Sequence, residues 1–136
     1  MSRSAYPELR GRVILCIDDN EDVLECEKAF LESFGFIVLT APSGDKGLEL
    51  ASVQEIDVVI VDYLMPGMNG HEVAIKMRRV KPQAPIIMLS GEIDVPEQAL
   101  EWVDVFIPKD RLTSHLLPAI AQLHQGGLRP RLPYDA

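Results

Sequence analysis

The sequence predicts one α/β domain, doubly wound, in which helices cover both faces of a five-stranded parallel sheet. Two observations predict this class: five short apolar runs alternate with amphipathic stretches, and three of the runs are continuous in Val, Ile and Leu. Strands that are buried on both faces have such unbroken runs, and strands that alternate with helices form parallel crossovers. The length of 136 residues suits one domain of this kind.

The five strands are predicted from the apolar runs. They cover residues 12–18, 36–40, 57–62, 85–90 and 103–107. The first helix is predicted between the first two strands, where Val23, Cys26, Phe30 and Phe34 recur at helical spacing. Gly35 follows them and is typical of a helix C-terminus. Further helices are predicted over residues 43–53, 70–80, 96–102 and 111–125.

The charge balance excludes one class of partner. The chain carries 21 acidic and 13 basic residues, a net charge of −8, whereas direct nucleic-acid binding needs a basic face. No apolar run approaches the ~18 residues of a membrane span. The two cysteines lack zinc-site spacing, so a reducing cytoplasmic location is expected. The one basic cluster lies at the end of the third helix, where cations complement the helix dipole, and binding of a partner is the alternative interpretation: Lys76, Arg78, Arg79 and Lys81.

Polar residues stand where the predicted strands end. They are Asp18, Asp19, Asp62, Ser90 and Lys109. Ligands of parallel sheets bind outside the carboxyl ends of the strands, so these side chains are expected to converge. Three carboxylates that lie close together require a compensating cation, and Mg²⁺ prefers oxygen ligands. With a lysine and a hydroxyl beside it, the site favours a tetrahedral anion, and a carboxylate nucleophile would form an acyl phosphate.

Four motifs occur in order at these strand ends: ILCIDDNED, VVIVDYLMPGMNG, IIMLSGE and VFIPK. Together they resemble the receiver domain of two-component response regulators, over residues 12–125. The resemblance implies a flavodoxin-like (βα)5 three-layer sandwich with strand order 2-1-3-4-5. Residues 1–11 are then expected to be a flexible N-terminal extension, and residues 126–136 a flexible tail or the start of a linker.

The resemblance also implies the roles of the acidic residues. Asp62 corresponds to the phosphoacceptor. Asp18 and Asp19 correspond to the acidic pair that binds Mg²⁺ together with Asp62 and the backbone carbonyl of Leu64. Standing alone, the Asp18-Asp19 pair would be interpreted first as the N-cap of the first helix. The metal interpretation is preferred because Asp62 is expected beside them.

The remaining implied roles concern the response to phosphorylation. Ser90 and Lys109 correspond to the hydroxyl and the lysine that contact the phosphoryl group. Phe106, three residues before the lysine, corresponds to the aromatic side chain that moves inward on activation. Leu64 and Glu92 occupy positions expected to tune dephosphorylation, and leucine offers no group to orient the attacking water.

Two departures from the family pattern carry predictions. Asp110 follows Lys109 where the family usually has proline, and its carboxylate is a potential competitor for that lysine. The interval between Ser90 and Lys109 is shorter than usual. A short or distorted fourth helix, an atypical partner face and an exposed or half-exposed Trp102 are therefore predicted.

The resemblance implies partners and leaves alternatives open. A sensor histidine kinase or phosphotransfer protein would supply the phosphoryl group in a two-component phosphorelay, and a protein effector would receive the signal. The protein is expected to be a monomer or a weak phosphorylation-dependent dimer, and not a conventional enzyme. A pseudo-receiver that is never phosphorylated is one alternative. A phosphatase of the haloacid-dehalogenase type is another, but it requires a second aspartate where Leu64 stands. The sequence does not distinguish a stand-alone regulator from a domain of a larger protein.

Overall fold

The structure, a computed structural model, describes residues 7–91 and 95–125. Within these ranges five strands form one parallel sheet in the order β2-β1-β3-β4-β5. The strands are β1 Val13–Ile17, β2 Ile37–Ala41, β3 Val58–Asp62, β4 Ile86–Ser90 and β5 Val105–Pro108. The α-helices are α1 Glu21–Glu32, α2 Gly44–Val53, α3 Gly70–Val80, α4 Glu97–Leu100 and α5 Leu112–Gln125. Two 3₁₀ helices cover Pro7–Leu9 and Lys109–Arg111. The predicted fold class and strand order are confirmed.

The sheet separates two hydrophobic cores. Because successive side chains of a strand point to opposite faces, Ile14 and Cys16 of β1 belong to one core, and Leu15 and Ile17 to the other. The first core is closed by α1 and α5, and the second by α2 and α3. All five residues of β3 are buried, as expected for a central parallel strand. No helix in the described ranges has the length and apolar character needed to cross a bilayer.

The prediction of the inner face of α1 was wrong, because the buried face is displaced by about one residue along the helix. The buried side chains are Leu24, Glu27 and Leu31, whereas Cys26 is exposed. Phe30 packs against the core at its margin. The prediction counted apolar residues only, so it passed over a helical stripe with a carboxylate at its centre.

The N-terminal end is structured from residue 7 onward. Residues 7–11 belong to the predicted flexible extension, yet Leu9 is 2% exposed and lies in the core closed by α1 and α5. The backbone N–H of Gly11 donates to the carbonyl of Gly35 at 2.8 Å. The apolar side chain of Leu9 explains this packing, because burying it removes its surface from water. Residues 1–6 and 126–136 of the predicted ends lie outside the described residues.

The predicted shortening of the fourth helix is confirmed. α4 has four residues, and Trp102 after it is half-buried. The segment between α4 and β5 is held by Arg78, which was predicted to complement the dipole at the end of α3 but is 1% exposed. Its Nε donates to the carbonyl of Trp102 at 3.0 Å, and its Nη2 lies 3.1 Å from Asp104 Oδ2. The same carboxylate oxygen accepts from the backbone N–H of Ile86 at 2.8 Å.

Candidate functional site

The carboxyl edge of the sheet brings the predicted site residues together. Asp62 and Ser90 are the last residues of β3 and β4, Asp18 directly follows β1, and Lys109 directly follows β5. β1 pairs with β3, β3 with β4, and β4 with β5, so these four strand ends are successive neighbours. The topology therefore concentrates residues that are up to 91 positions apart in the sequence.

Three carboxylates form the centre of the site. Asp18, Asp19 and Asp62 each place one oxygen within 4.8 Å of the others. Asp18 and Asp62 are 1% and 5% exposed, whereas Asp19 faces solvent. Two buried carboxylates and one open to water fit Mg²⁺, which takes a few protein oxygens and retains several waters. The donor set is therefore suited to this ion.

Lys109 connects two of these carboxylates. Its Nζ lies 3.0 Å from Asp62 Oδ1 and 3.2 Å from Asp18 Oδ2. Burial lowers the pKa of Lys109, but the hydrogen bond and charge of Asp62, together with Asp18, outweigh burial and raise it. The ammonium is therefore retained at any physiological pH. One cation of the chain faces three carboxylates, so the site keeps an excess of negative charge.

The surroundings of Asp62 raise the pKa of its carboxyl group. Burial raises the pKa of Asp62 to about 6, since Lys109 lowers it less than burial and the charges of Asp18 and Asp19 raise it. The group is still mainly ionised at pH 7. An anionic oxygen that is poorly solvated and faces a cluster of like charge is suited to attack an electrophilic phosphorus once a cation is present.

The capping of α1 excludes one of the two interpretations of Asp18 and Asp19. The N-cap is Asn20, whose Oδ1 accepts from the backbone N–H groups of Asp22 at 2.9 Å and Val23 at 3.2 Å. Asp18 Oδ1 accepts from the backbone N–H of Asn20 at 2.9 Å. The acidic pair is therefore spared from capping and remains directed to the site.

Gly70 explains how α3 approaches the end of β3. A Cβ at this position would lie 2.6 Å from the carbonyl oxygen of Asp62 and 2.8 Å from Cα of Tyr63. The backbone N–H of Gly70 also donates to the carbonyl of Tyr63 at 2.8 Å. A side chain at this position would push α3 away from the strand, so glycine is required for the backbone around Asp62.

Ser90 and Phe106 border one cleft beside the acidic centre. The cleft has a volume of about 590 Å³, and Lys109 also lines it. Ser90 is 1% exposed, and Phe106 is half-buried against the core closed by α2 and α3. The space between a strand-end hydroxyl and an aromatic ring is what the predicted switch requires.

The structure gives different information on the two positions expected to tune dephosphorylation and on the possible competitor of the site lysine. Leu64 is 51% exposed beside the site. Glu92 lies outside the described residues. Asp110 is exposed and forms no ion pair within residues 7–91 and 95–125, whereas Lys109 binds Asp18 and Asp62. The potential competition of Asp110 for the lysine is not observed.

Sequence reasoning missed one buried acid near the site. Glu27 of α1 is 2% exposed, and burial, followed by the charge of Asp18, raises the pKa of Glu27 to about 7. The neighbouring thiol of Cys16 lowers this pKa, but by less than burial and Asp18 raise it. The spacing of Glu27 from Leu24 and Leu31 was the signal that could have located it.

Comparisons with known proteins agree with this geometry. The sequence profile described as "Response regulator receiver domain" matches residues 14–120. The alkaline phosphatase synthesis transcriptional regulatory protein PhoP of Bacillus subtilis (strain 168) is 33% identical over 82 residues, covering 60% of this chain and 34% of PhoP. The response regulator SaeR of Staphylococcus aureus (strain USA300) is 32% identical over 79 residues, covering 58% of this chain and 34% of SaeR. The matches thus span about a third of the length of these relatives.

A solved structure extends the similarity to nearly the whole fold. The response regulator protein TrrA from Thermotoga maritima, in complex with Mg²⁺-BeF, superposes with a TM-score of 0.78. It is 29% identical, and the match covers 82% of this chain and 98% of TrrA.

Proposed function

This chain belongs to the response regulator receiver family, and we propose that it works as a phosphoacceptor, receiving a phosphoryl group on Asp62. The observation that carries the proposal is the ion pair between Asp62 and Lys109 inside a cluster of three carboxylates. An ion pair on its own would indicate only a contribution to the stability of the fold. A buried acidic cluster with a surplus of negative charge is expected where a metal ion and an anion bind together.

The proposed reaction is an in-line transfer. A carboxylate oxygen of Asp62 attacks the phosphorus of a phosphohistidine, the P–N bond breaks, and an acyl phosphate forms, while the departing imidazole takes a proton from solvent. Asp18, Asp19, Asp62 and the backbone carbonyl of Leu64 would hold Mg²⁺, which neutralises charge on the phosphoryl oxygens when bound. Lys109 would transfer one of its contacts from Asp62 to a phosphoryl oxygen.

We propose that the switch acts through the cleft beside this site. Phosphorylation adds negative charge and acceptor oxygens at Asp62, which attract the hydroxyl of Ser90 and the ammonium of Lys109. Movement of Ser90 would free space that the ring of Phe106 can fill. The cleft bordered by both residues supports this coupling.

The proposed partners follow from the phosphoacceptor site and from the face beside the cleft. A histidine kinase or phosphotransfer protein would supply the phosphoryl group, and a protein effector would bind the face around α4, β5 and α5. The net charge of −8 does not favour direct contact with nucleic acid. With four residues in α4, this effector face differs from one built on a longer helix. A monomer, or a weak dimer after phosphorylation, is the proposed state.

Mass spectrometry with a small phosphodonor tests the proposal. The protein is incubated with acetyl phosphate and Mg²⁺, and one added phosphate is expected. Asp62→Asn should take up none, and Asp19→Asn should take up phosphate only at a much higher Mg²⁺ concentration. Absence of phosphate on the wild-type protein with acetyl phosphate and with phosphoramidate would overturn the proposal and favour a pseudo-receiver.

A further inference from the structure

A second concave surface shares Lys109 and Asp110 with the cleft that Ser90 and Phe106 border. It is a groove of about 520 Å³ between α1 and residues 109–113, and we refer to it as the α1 groove. Small-molecule sites usually have volumes of about 300–1,000 Å³. Its apolar walls are formed by Val23, Cys26, Phe30 and Leu112.

Glu27 also lines the α1 groove and supplies its polar anchor. Its side chain is buried, and within residues 7–91 and 95–125 its Oε2 has no hydrogen-bond partner. A buried carboxylate oxygen without a partner is unfavourable, because it has lost water and gained nothing in exchange. A hydrogen-bond donor entering the groove would remove this penalty.

The charges around the α1 groove select a cation as that donor. Asp22, Glu27 and Asp110 line it against one cation, Lys109. The ammonium of Lys109 is occupied by Asp18 and Asp62, at 3.2 and 3.0 Å. The groove therefore presents negative charge above an apolar wall, which disfavours anions and gives no advantage to a neutral ligand.

We propose that the α1 groove binds a small amphipathic cation, an apolar body with one protonated amine that pairs with Glu27. The apolar body lies along Phe30 and Leu112, and Oε2 of Glu27, which is buried when the groove is empty, turns toward the ammonium and accepts from it. The site is distinct from the phosphoacceptor, since the contacts it uses do not include Asp62.

Phenethylamine is a suitable probe, because it combines one aromatic ring with one ammonium group. Cys26 lines the groove and is exposed, whereas the only other cysteine is buried, so alkylation of Cys26 by iodoacetamide reports occupancy. The assay is run on the full chain at pH 8 with excess Mg²⁺, which keeps the acidic cluster at the sheet edge occupied. A dissociation constant of about 1 mM is expected for a ligand of this size. At about ten times that concentration, alkylation should slow about tenfold.

Matched controls separate the groove from other acidic surfaces. The neutral analogue 2-phenylethanol should protect Cys26 poorly, and Glu27→Gln should weaken the protection by phenethylamine about tenfold or more. No phosphodonor is present in the assay, so the result does not depend on phosphorylation. Equal protection by the neutral analogue, or unchanged protection in Glu27→Gln, would overturn the proposal. Loss of protection in Asp19→Asn alone would place the cation at the acidic cluster and overturn it as well.

Discussion

The two edges of the sheet differ in how far the charges of their acidic side chains are compensated. At the amino edge, Asp104 accepts from the backbone N–H of Ile86 at 2.8 Å and pairs with Arg78 at 3.1 Å. Asp57 accepts from Val13 at 2.7 Å. At the carboxyl edge, three carboxylates lie beside one cation of the described residues, Lys109, which pairs with two of them, Asp18 and Asp62.

This difference separates the residues that maintain the fold from those available for chemistry. At the amino edge each carboxylate receives backbone donors, so its charge is compensated within the chain. At the carboxyl edge burial raises the pKa of Asp62 to about 6 and that of Glu27 to about 7. Acids that are held out of water without enough partners form a site that a metal ion or another cation would stabilise.

Breaking the compensated edge should have the largest effect on stability. Arg78→Met leaves Asp104 buried beside β4 without its guanidinium, and loss of one member of a buried pair costs about 3–5 kcal/mol. Urea unfolding measures the decrease, and the fluorescence of Trp102, whose carbonyl accepts from Arg78, should report the local change.

The matched control is the exposed pair of the same edge. Arg12 lies 3.6 Å from Asp57, with side chains 44% and 38% exposed. Arg12→Met should therefore cost less than about 1 kcal/mol. If the two variants were equally stable, burial of Arg78 would not explain its contribution.

The titration of Glu27, near the uncompensated edge, should make the free energy of unfolding depend on pH. Its pKa is about 7 in the folded protein and 4.5 when unfolded, so the folded state binds the proton more tightly. The contribution of Glu27 to the free energy of unfolding is therefore greatest below pH 4.5. It decreases by about 3 kcal/mol as the pH rises to 7.

Glu27→Gln isolates this contribution, because Asp62 changes stability in the same direction. The free energy of unfolding is measured by urea at pH 5 and pH 8 for both proteins. The variant should gain stability over the wild type at pH 8 and lose most of that advantage at pH 5. A constant difference at both pH values would show that Glu27 does not titrate in this range.

Mg²⁺ should compensate the carboxyl edge directly. At a concentration of about ten times its dissociation constant, an ion that binds the folded protein alone adds about 1.4 kcal/mol to the free energy of unfolding. Asp19→Asn should remove most of this gain. If the variant were stabilised as strongly as the wild type, the acidic cluster would not be the site of binding.

The sequence predicted the carboxyl edge better than the amino edge. Asp18, Asp62, Ser90 and Lys109 could be located because each directly follows, or ends, an apolar run, and parallel topology brings strand ends together. The fold class followed from the same runs, since their order and apolar character are local properties of the chain.

What the sequence did not reveal was the pairing of charged residues in the interior. Arg78 was interpreted as one of four basic residues that complement the dipole of the third helix, because its partner Asp104 lies 26 positions away. Glu27 was passed over because a carboxylate on an inner helix face opposes the usual pattern. Both depend on contacts between elements, which residue spacing along the chain does not encode.

The smallest expected effect concerns Leu64, at the uncompensated carboxyl edge, and the rate at which phosphate is lost. It is 51% exposed beside the acidic cluster and has no polar side-chain group to orient a water for attack on an acyl phosphate. Leu64→Asn would add one neutral hydrogen bond to that water, which corresponds to about a two- to tenfold faster loss of phosphate. Release of phosphate from the phosphorylated protein measures the rate, and Leu64→Met, which keeps an apolar side chain, is the control. An equal rate in Leu64→Asn and Leu64→Met would show that this position does not limit water attack, and the lifetime of the phosphorylated state would then depend on Lys109 and the bound metal.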